Sequence, residues 1–341
     1  MKILPIIVIF VLSFTSCKQK QALENVKATL LSSGFIFTDA PFAQCHASTV
    51  VETNEGLLAA WFGGTHEKNK DVCIYIANYK NKKWSNPQLV ADGVINDTLR
   101  YPCWNPVLFK KKNGDIVLYY KVGPSPREWW GLYKTSYDNG KAWSEATKIP
   151  DNLLGPIKNK PQYLSDGTIL YPTSFETNKV WTVYVEKSDD NLKNWRRIAI
   201  DNNGFNAIQP TILFYDKGKI QLLCRSKEHK IVETWSDDNG ETWTQMQASS
   251  LVNNNSGIDG VTSQSGLQLL VCNPVKRGRH KLSVLASYNG KTWRELIVLE
   301  DQKKGTEFSY PAIIEGSDGT FFITYTYNRE TVKYIHLKIT E

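Results

Sequence analysis

The chain has 341 residues, 41% hydrophobic, 12% aromatic and 22% charged, with a formal net charge of +7. That is enough apolar material for one large core and too much for a disordered chain. Lysines and arginines are interspersed with acids and form no basic stripe, which argues against a nucleic-acid partner and leaves a small anionic ligand as a natural match for the mild positive excess.

At the N-terminus Lys2 precedes an apolar run from Ile3 to Phe14. The run is too short to span a bilayer and fits the h-region of a secretory signal, so export is expected. It ends in Phe14-Thr15-Ser16-Cys17, which resembles the lipobox of bacterial lipoproteins, whose cysteine carries the lipid. Residues 1–17 are therefore read as a signal ending at a lipid-accepting Cys17, residues 18–27 as a linker and residues 28–341 as one domain. No acidic tract follows Cys17. The expected location is a lipid anchor in the periplasm or outer membrane of a Gram-negative bacterium, with the membrane met only through that lipid and a monomer favoured.

Six similar units follow, with a period of about 50 residues that marks a repeat architecture. They open near His46-Ala47-Ser48, Asn105-Pro106, Lys160-Pro161, Gln209-Pro210, Asp259-Gly260 and Tyr310-Pro311. Each start is a short apolar strand followed by a turn such as Asn54-Glu55-Gly56, Asn113-Gly114, Asp166-Gly167 or Asp318-Gly319, the composition that hairpins require. A third strand then reaches a box fitting S-x-D-x-G-x-x-W at Ser136 to Trp143 and Ser236 to Trp243. Two worn copies run from Ser188 to Trp195, without the glycine, and from Ser287 to Trp293, one residue shorter and without the aspartate. Asp or Asn caps the turn, Gly supplies a positive φ and Trp packs between units. The box is architecture, not chemistry.

These units predict an all-β fold, a six-bladed β-propeller of four-stranded antiparallel blades. The sixth unit runs out of sequence after three strands, so residues 28–38 are expected to supply its outer strand and close the ring. Cys45, Cys73, Cys103, Cys224 and Cys272 show no CxxC pair. They read as buried small hydrophobes, with a Cys224–Cys272 disulfide possible at equivalent points of successive blades. No metal or organic cofactor is implied.

Inner strands of a propeller all start at one face, so His46, Asn105, Lys160, Gln209, Asp259 and Tyr310 should ring one mouth of the channel. Second strands end there and add Trp61, Lys121, Glu176, Arg225, Asn273 and Tyr325. Longer loops bring Glu67 and Asp71, Arg127-Glu128-Trp129-Trp130, and Arg277 to Arg279-His280. Trp129-Trp130 suits a sugar platform, and Lys160 and Glu176 could instead pair with one another. A polar, aromatic pit on the axis is a natural place for a small-molecule site.

The boxes on consecutive blades, the six repeats and the lead-strand pattern resemble the sialidase (neuraminidase) superfamily over about residues 35–340, and more closely its bacterial BNR-repeat members of exo-sialidase type. That resemblance implies a glycan partner with a terminal acidic sugar, three arginines on the sugar carboxylate, a tyrosine nucleophile polarised by a glutamate, and an aspartate acid on a first-blade loop. Arg225 fits the second arginine and Arg279 the third, Tyr310 fits the nucleophile, and Asp71 or Glu67 lies on the loop that supplies the acid. His46 stands where the first arginine belongs, and Gln209 where the glutamate belongs.

A tyrosine is a poor nucleophile near neutral pH unless a base takes its proton, and Gln209 cannot. Glu176 or Asp259 could substitute from neighbouring blades. Lys160, Gln209, Asn105, Asp259, Glu176, Trp61 and Lys121 are the expected further contacts to substrate. Three functions therefore stay open: a glycoside hydrolase using Tyr310, a lyase for terminal uronates with His46 as base and Tyr310 as acid, and a glycan-binding propeller without turnover.

Overall fold

The computed structural model describes residues 22–341. The expected signal and Cys17 lie outside the described residues. Six four-stranded antiparallel blades form a β-propeller. Blade 1 is built from Gln44–Thr53, Gly56–Gly64, Cys73–Lys80 and Lys83–Trp84, with Gln88–Ala91 also pairing on its third strand. Blade 2 starts at Cys103–Lys110, blade 3 at Gln162–Tyr163, blade 4 at Ala207–Phe214, blade 5 at Asp259–Thr262 and blade 6 at Phe308–Glu315.

Lys27–Phe35 pairs antiparallel with Thr331–Thr340, from Lys27 opposite Thr340 to Phe35 opposite Lys333. The ring is thus closed by the N-terminal strand, and the inner strands of blades 1 and 6 pack together at the seam. Leu23 and Val26 are buried with Phe308, Phe321 and Tyr325, so the core begins inside the segment expected to be a linker. Each seam holds its own apolar cluster, such as Val107, Tyr119, Ile169 and Tyr171 between blades 2 and 3. Every buried Val, Leu or Ile in such a seam stabilises the ring by roughly 1.5–3 kcal/mol.

The boxes act as the sequence implies. Asp238 Oδ1 accepts from Glu241 N at 3.0 Å and Thr242 N at 2.9 Å, and Trp243 Nε1 donates to Gly240 O at 3.2 Å. In the copy without glycine, Leu192 takes the left-handed φ of 58° and its carbonyl still accepts from Trp195. There Asp189 caps Lys193 N, while Asp190 turns to Tyr163 Oη. Cys224 and Cys272 are both free and buried, as are Cys45, Cys73 and Cys103, so the possible disulfide is absent.

One backbone feature bears directly on the mouth. The inner strands of blades 1, 2, 4 and 6 each break register near their start. The residues at these bulges, Ala47, Asn105, Gln209 and Tyr310, have φ of 57°, 33°, 56° and 53°. Three of them precede proline, which normally pushes its predecessor into the extended region. Bulges re-aim side chains, and backbone held in sparsely populated regions gathers at functional sites.

Candidate functional site

Tyr310 is the hub of the mouth. Its phenolic oxygen accepts hydrogen bonds from Arg225 Nη1 at 2.8 Å and Gln209 Nε2 at 3.3 Å. Arg225 also donates to Gln209 Oε1 at 3.1 Å and, through Nε, to Asn255 Oδ1 at 2.9 Å. The guanidinium carbons of Arg225 and Arg279 each lie 5.7 Å from the centre of the Tyr310 ring. Among the described residues, no carboxylate bonds the phenol.

His46 packs on Tyr310 with ring centres 4.1 Å apart, and its Nδ1 lies 2.9 Å from Thr326 Oγ1. It is only 2% exposed. Burial, helped by the charges of Arg329, Arg279, Arg225 and Lys158, holds its pKa well below the usual histidine range, so the ring is neutral at physiological pH.

Two residues that the sequence reading did not single out complete the constellation. Glu307 accepts from Arg279 Nη1 at 2.6 Å, Arg329 Nε at 3.2 Å and Ser309 Oγ at 2.7 Å. Burial alone would raise its pKa, but Arg279 and Arg329 outweigh it and keep the carboxylate ionised. Arg329 also donates to Glu67 Oε2 at 2.7 Å, and its carbonyl accepts from Cys45 N beside His46. Three guanidinium groups thus face two carboxylates, leaving a positive excess. The bulge at Tyr310 shifts the strand's alternation by one residue, which is why Glu307, three positions earlier, shares its side. Arg329 sits in the last hairpin turn, where sequence gives only a polar loop signal.

Asp71 is exposed, and its Oδ2 accepts from Thr65 N at 3.0 Å and Thr65 Oγ1 at 2.6 Å, stapling its own loop. Glu67, on the same loop, is committed to Arg329. The Glu176 carboxylate has no hydrogen bond among the described residues. Burial raises its pKa, while Arg225, Arg127 and Lys227 pull it back.

Other expected contacts lie elsewhere. Lys160 Nζ bonds Asp259 Oδ2 at 2.9 Å, not Glu176, and Asp259 is buried and also accepts from Thr211 Oγ1 and Ile313 N, each at 3.0 Å. The two form a tie between blades and are neutralised by one another. Lys121 is wholly buried and donates to Pro156 O; burial lowers its pKa to about 7. Trp61 is equally buried, stacked on Phe37 at 4.8 Å. The reason is the two-residue period of a strand: His46 lies opposite Phe62, so Trp61 faces the other side. Asn105 is buried at the blade 2 bulge. Asn273 and Tyr325 are buried too, bonded to Phe308 O and Glu300. Trp129 packs with Trp104 and Ile157, and Trp130 with Tyr101, covering blade 2 instead of forming a platform.

Among the described residues, no three His, Cys, Asp or Glu side chains are grouped as a metal site would need. A separate 1090 Å³ cleft, lined by Tyr215, Glu233, Trp235, Tyr288 and Lys291, contains none of the mouth residues.

The family model of the BNR repeat-like domain matches residues 55–323. No curated protein matches the chain. Among solved structures, the fold is similar to a protein of unknown function from Dyadobacter fermentans, with a TM-score of 0.76 and 14% identity over 92% of this chain and 99% of that one. It is also similar to the NanB sialidase of Streptococcus pneumoniae, with a TM-score of 0.71 and 13% identity over 89% and 70%. The intramolecular trans-sialidase of Ruminococcus gnavus, in complex with oseltamivir carboxylate, gives 0.70 and 13% over 91% and 98%. At such identities the likeness is one of fold.

Proposed function

This chain belongs to the BNR repeat-like domain family, within the sialidase superfamily, and on that premise we propose that it is an exo-acting, sialidase-like glycoside hydrolase for a terminal sugar bearing a carboxylate. The observation that carries the reading is the placing of Arg225 and Arg279 around Tyr310, each 5.7 Å from its ring. Arg225, Arg279 and Arg329 hold the sugar carboxylate through paired N–H groups.

Tyr310 Oη attacks the anomeric carbon, and its proton passes to the neutral His46. Gln209 orients the phenol without accepting that proton. The glycosidic oxygen leaves with a proton from a carboxylic acid, and water then cleaves the glycosyl–tyrosine bond as the protons return. Glu176 suits the donor role because burial favours its protonated form, and Asp71 is the alternative on the first-blade loop. Arg225 and Gln209, already aimed at the phenolic oxygen, stabilise charge that develops there. Export and a lipid on Cys17 complete the proposal and place the reaction in the periplasm or at the outer membrane.

A second reading is favoured by the neutral His46 against Tyr310 and by the lack, among the described residues, of a carboxylate on the phenol. In a lyase, His46 removes the proton α to a uronate carboxylate. Tyr310 protonates the leaving oxygen, the bond β to the carboxylate breaks and a ring double bond forms.

The test is incubation of the mature protein with sialosides and uronate-capped oligosaccharides. Released sugar without new ultraviolet absorbance is the expected result. A rise in far-ultraviolet absorbance, from the unsaturated uronate, would transfer the reading to the lyase, and ligand retention without turnover would leave a glycan-binding propeller.

A further inference from the structure

Blade 3 has the shortest inner strand, Gln162–Tyr163, and the residues before it reach blades 4, 5 and 6. Lys158 is 4% exposed and Asn159 2%. Side chains this polar persist in a core only when their hydrogen bonds are met. Here they are met by the backbones of three other blades.

Lys158 Nζ donates to Ile258 O at 3.0 Å, at the entry to blade 5, to Asn159 Oδ1 at 2.9 Å, and to Pro311 O in blade 6. Three acceptors take the three protons of one ammonium group. Asn159 Nδ2 donates to Gln209 O at 3.2 Å and Pro210 O at 2.9 Å in blade 4. The chosen carbonyls belong to Gln209-Pro210 and to the proline after Tyr310, the two left-handed bulges that meet at the phenolic oxygen. Proline has no N–H to donate at such a bulge, so beyond the Gln209 N–H bonded to Ser174 Oγ at 3.1 Å the carbonyls are the backbone groups left to hold it.

We propose that Lys158, with Asn159, is a positioning residue for Tyr310 and Gln209, a peg from blade 3 that fixes both bulges and so directs the phenol toward Arg225. The placement stands on hydrogen bonds alone; its consequence for ligand rests on the glycan reading above.

The test replaces the 16 tyrosines with 3-fluorotyrosine and assigns the Tyr310 fluorine signal by its loss in Tyr310→Phe. In Lys158→Met, the Tyr310 signal is expected to shift or broaden while signals from distant blades stay in place. Affinity for an acidic sugar that binds the wild type should fall about tenfold, the loss of a charged buried hydrogen bond. Lys158→Gln, which keeps two N–H donors but not the charge, should lie between. Should Lys158→Met fail to fold, Asn159→Ala provides the same comparison from the Gln209 side.

An unmoved Tyr310 signal in folded Lys158→Met or Asn159→Ala would overturn the proposal, as would a uniform shift of every tyrosine. Because the fluorine spectra need no substrate, a wild type that binds no acidic sugar would defeat the glycan reading and leave this one to be decided by the spectra.

Discussion

Arg225 Nη1 lies 2.8 Å from Tyr310 Oη, a hydrogen bond that joins blade 4 to blade 6 across 85 residues of sequence. The same nitrogen meets Gln209, and Nε meets Asn255, so the guanidinium is fixed at three points. Arg225→Ala should weaken binding of an acidic sugar by about 10- to 100-fold, the range of a hydrogen bond to a charged group. Arg225→Lys should recover little, since a point charge cannot reproduce the planar fork. Calorimetric titration of both variants decides this, and wild-type affinity in Arg225→Lys would contradict it.

Glu307 tethers Arg279 and Arg329 together. Its replacement by glutamine leaves the site more positive but less ordered. The expected outcome for Glu307→Gln is about tenfold weaker binding of the acidic sugar, alongside stronger inhibition by simple anions such as sulfate. Competition titrations at two salt concentrations measure both. Selectivity equal to that of the wild type would show that the tether is not used.

Acid should destabilise the fold through His46. Its folded pKa lies well below 6.5 because of burial and the surrounding arginines. The unfolded chain therefore binds the proton first, and stability present above about pH 6.5 is lost as pH falls toward the folded pKa. One such group sets a limiting slope of about 1.4 kcal/mol per pH unit. His336 is shifted the same way, mainly by burial, and adds to the wild-type profile. Thermal unfolding of the wild type and His46→Gln between neutral and mildly acidic pH should give a flatter curve for the variant. Parallel curves would count against the assignment.

Two glycines should respond differently to the same substitution. Gly266 has φ of 86° and open space where a Cβ would lie, so Gly266→Ala costs only the left-handed backbone penalty, roughly 1–2 kcal/mol. Gly290, in the shortened box, has φ of 69°, and a Cβ there would collide with Tyr215 Oη, which itself bonds Gln221 Oε1 at 2.5 Å. Gly290→Ala should therefore lower the denaturation midpoint clearly more than Gly266→Ala. Equal midpoints would mean that the seam between blades 4 and 5 can yield.

Blade count, strand order and closure were legible because their signals are local. Hairpin turns, alternating strands and the Ser/Asp/Trp box each act within about ten residues, and a missing outer strand in blade 6 demands a partner from the other end of the chain. The lead positions of the inner strands likewise placed His46, Gln209 and Tyr310 at one mouth, with Arg225 beside them. Tertiary structure alone decided which polar groups there stay available. Lys160 and Asp259 cancel one another across 99 residues, Lys158 and Asn159 are bonded to other blades, and Arg329 and Glu307 enter through a turn and a bulge. Such pairings depend on how far each blade rotates about the channel and where a strand slips by one residue. That geometry is set by packing at the seams between blades, to which no short stretch of sequence has access.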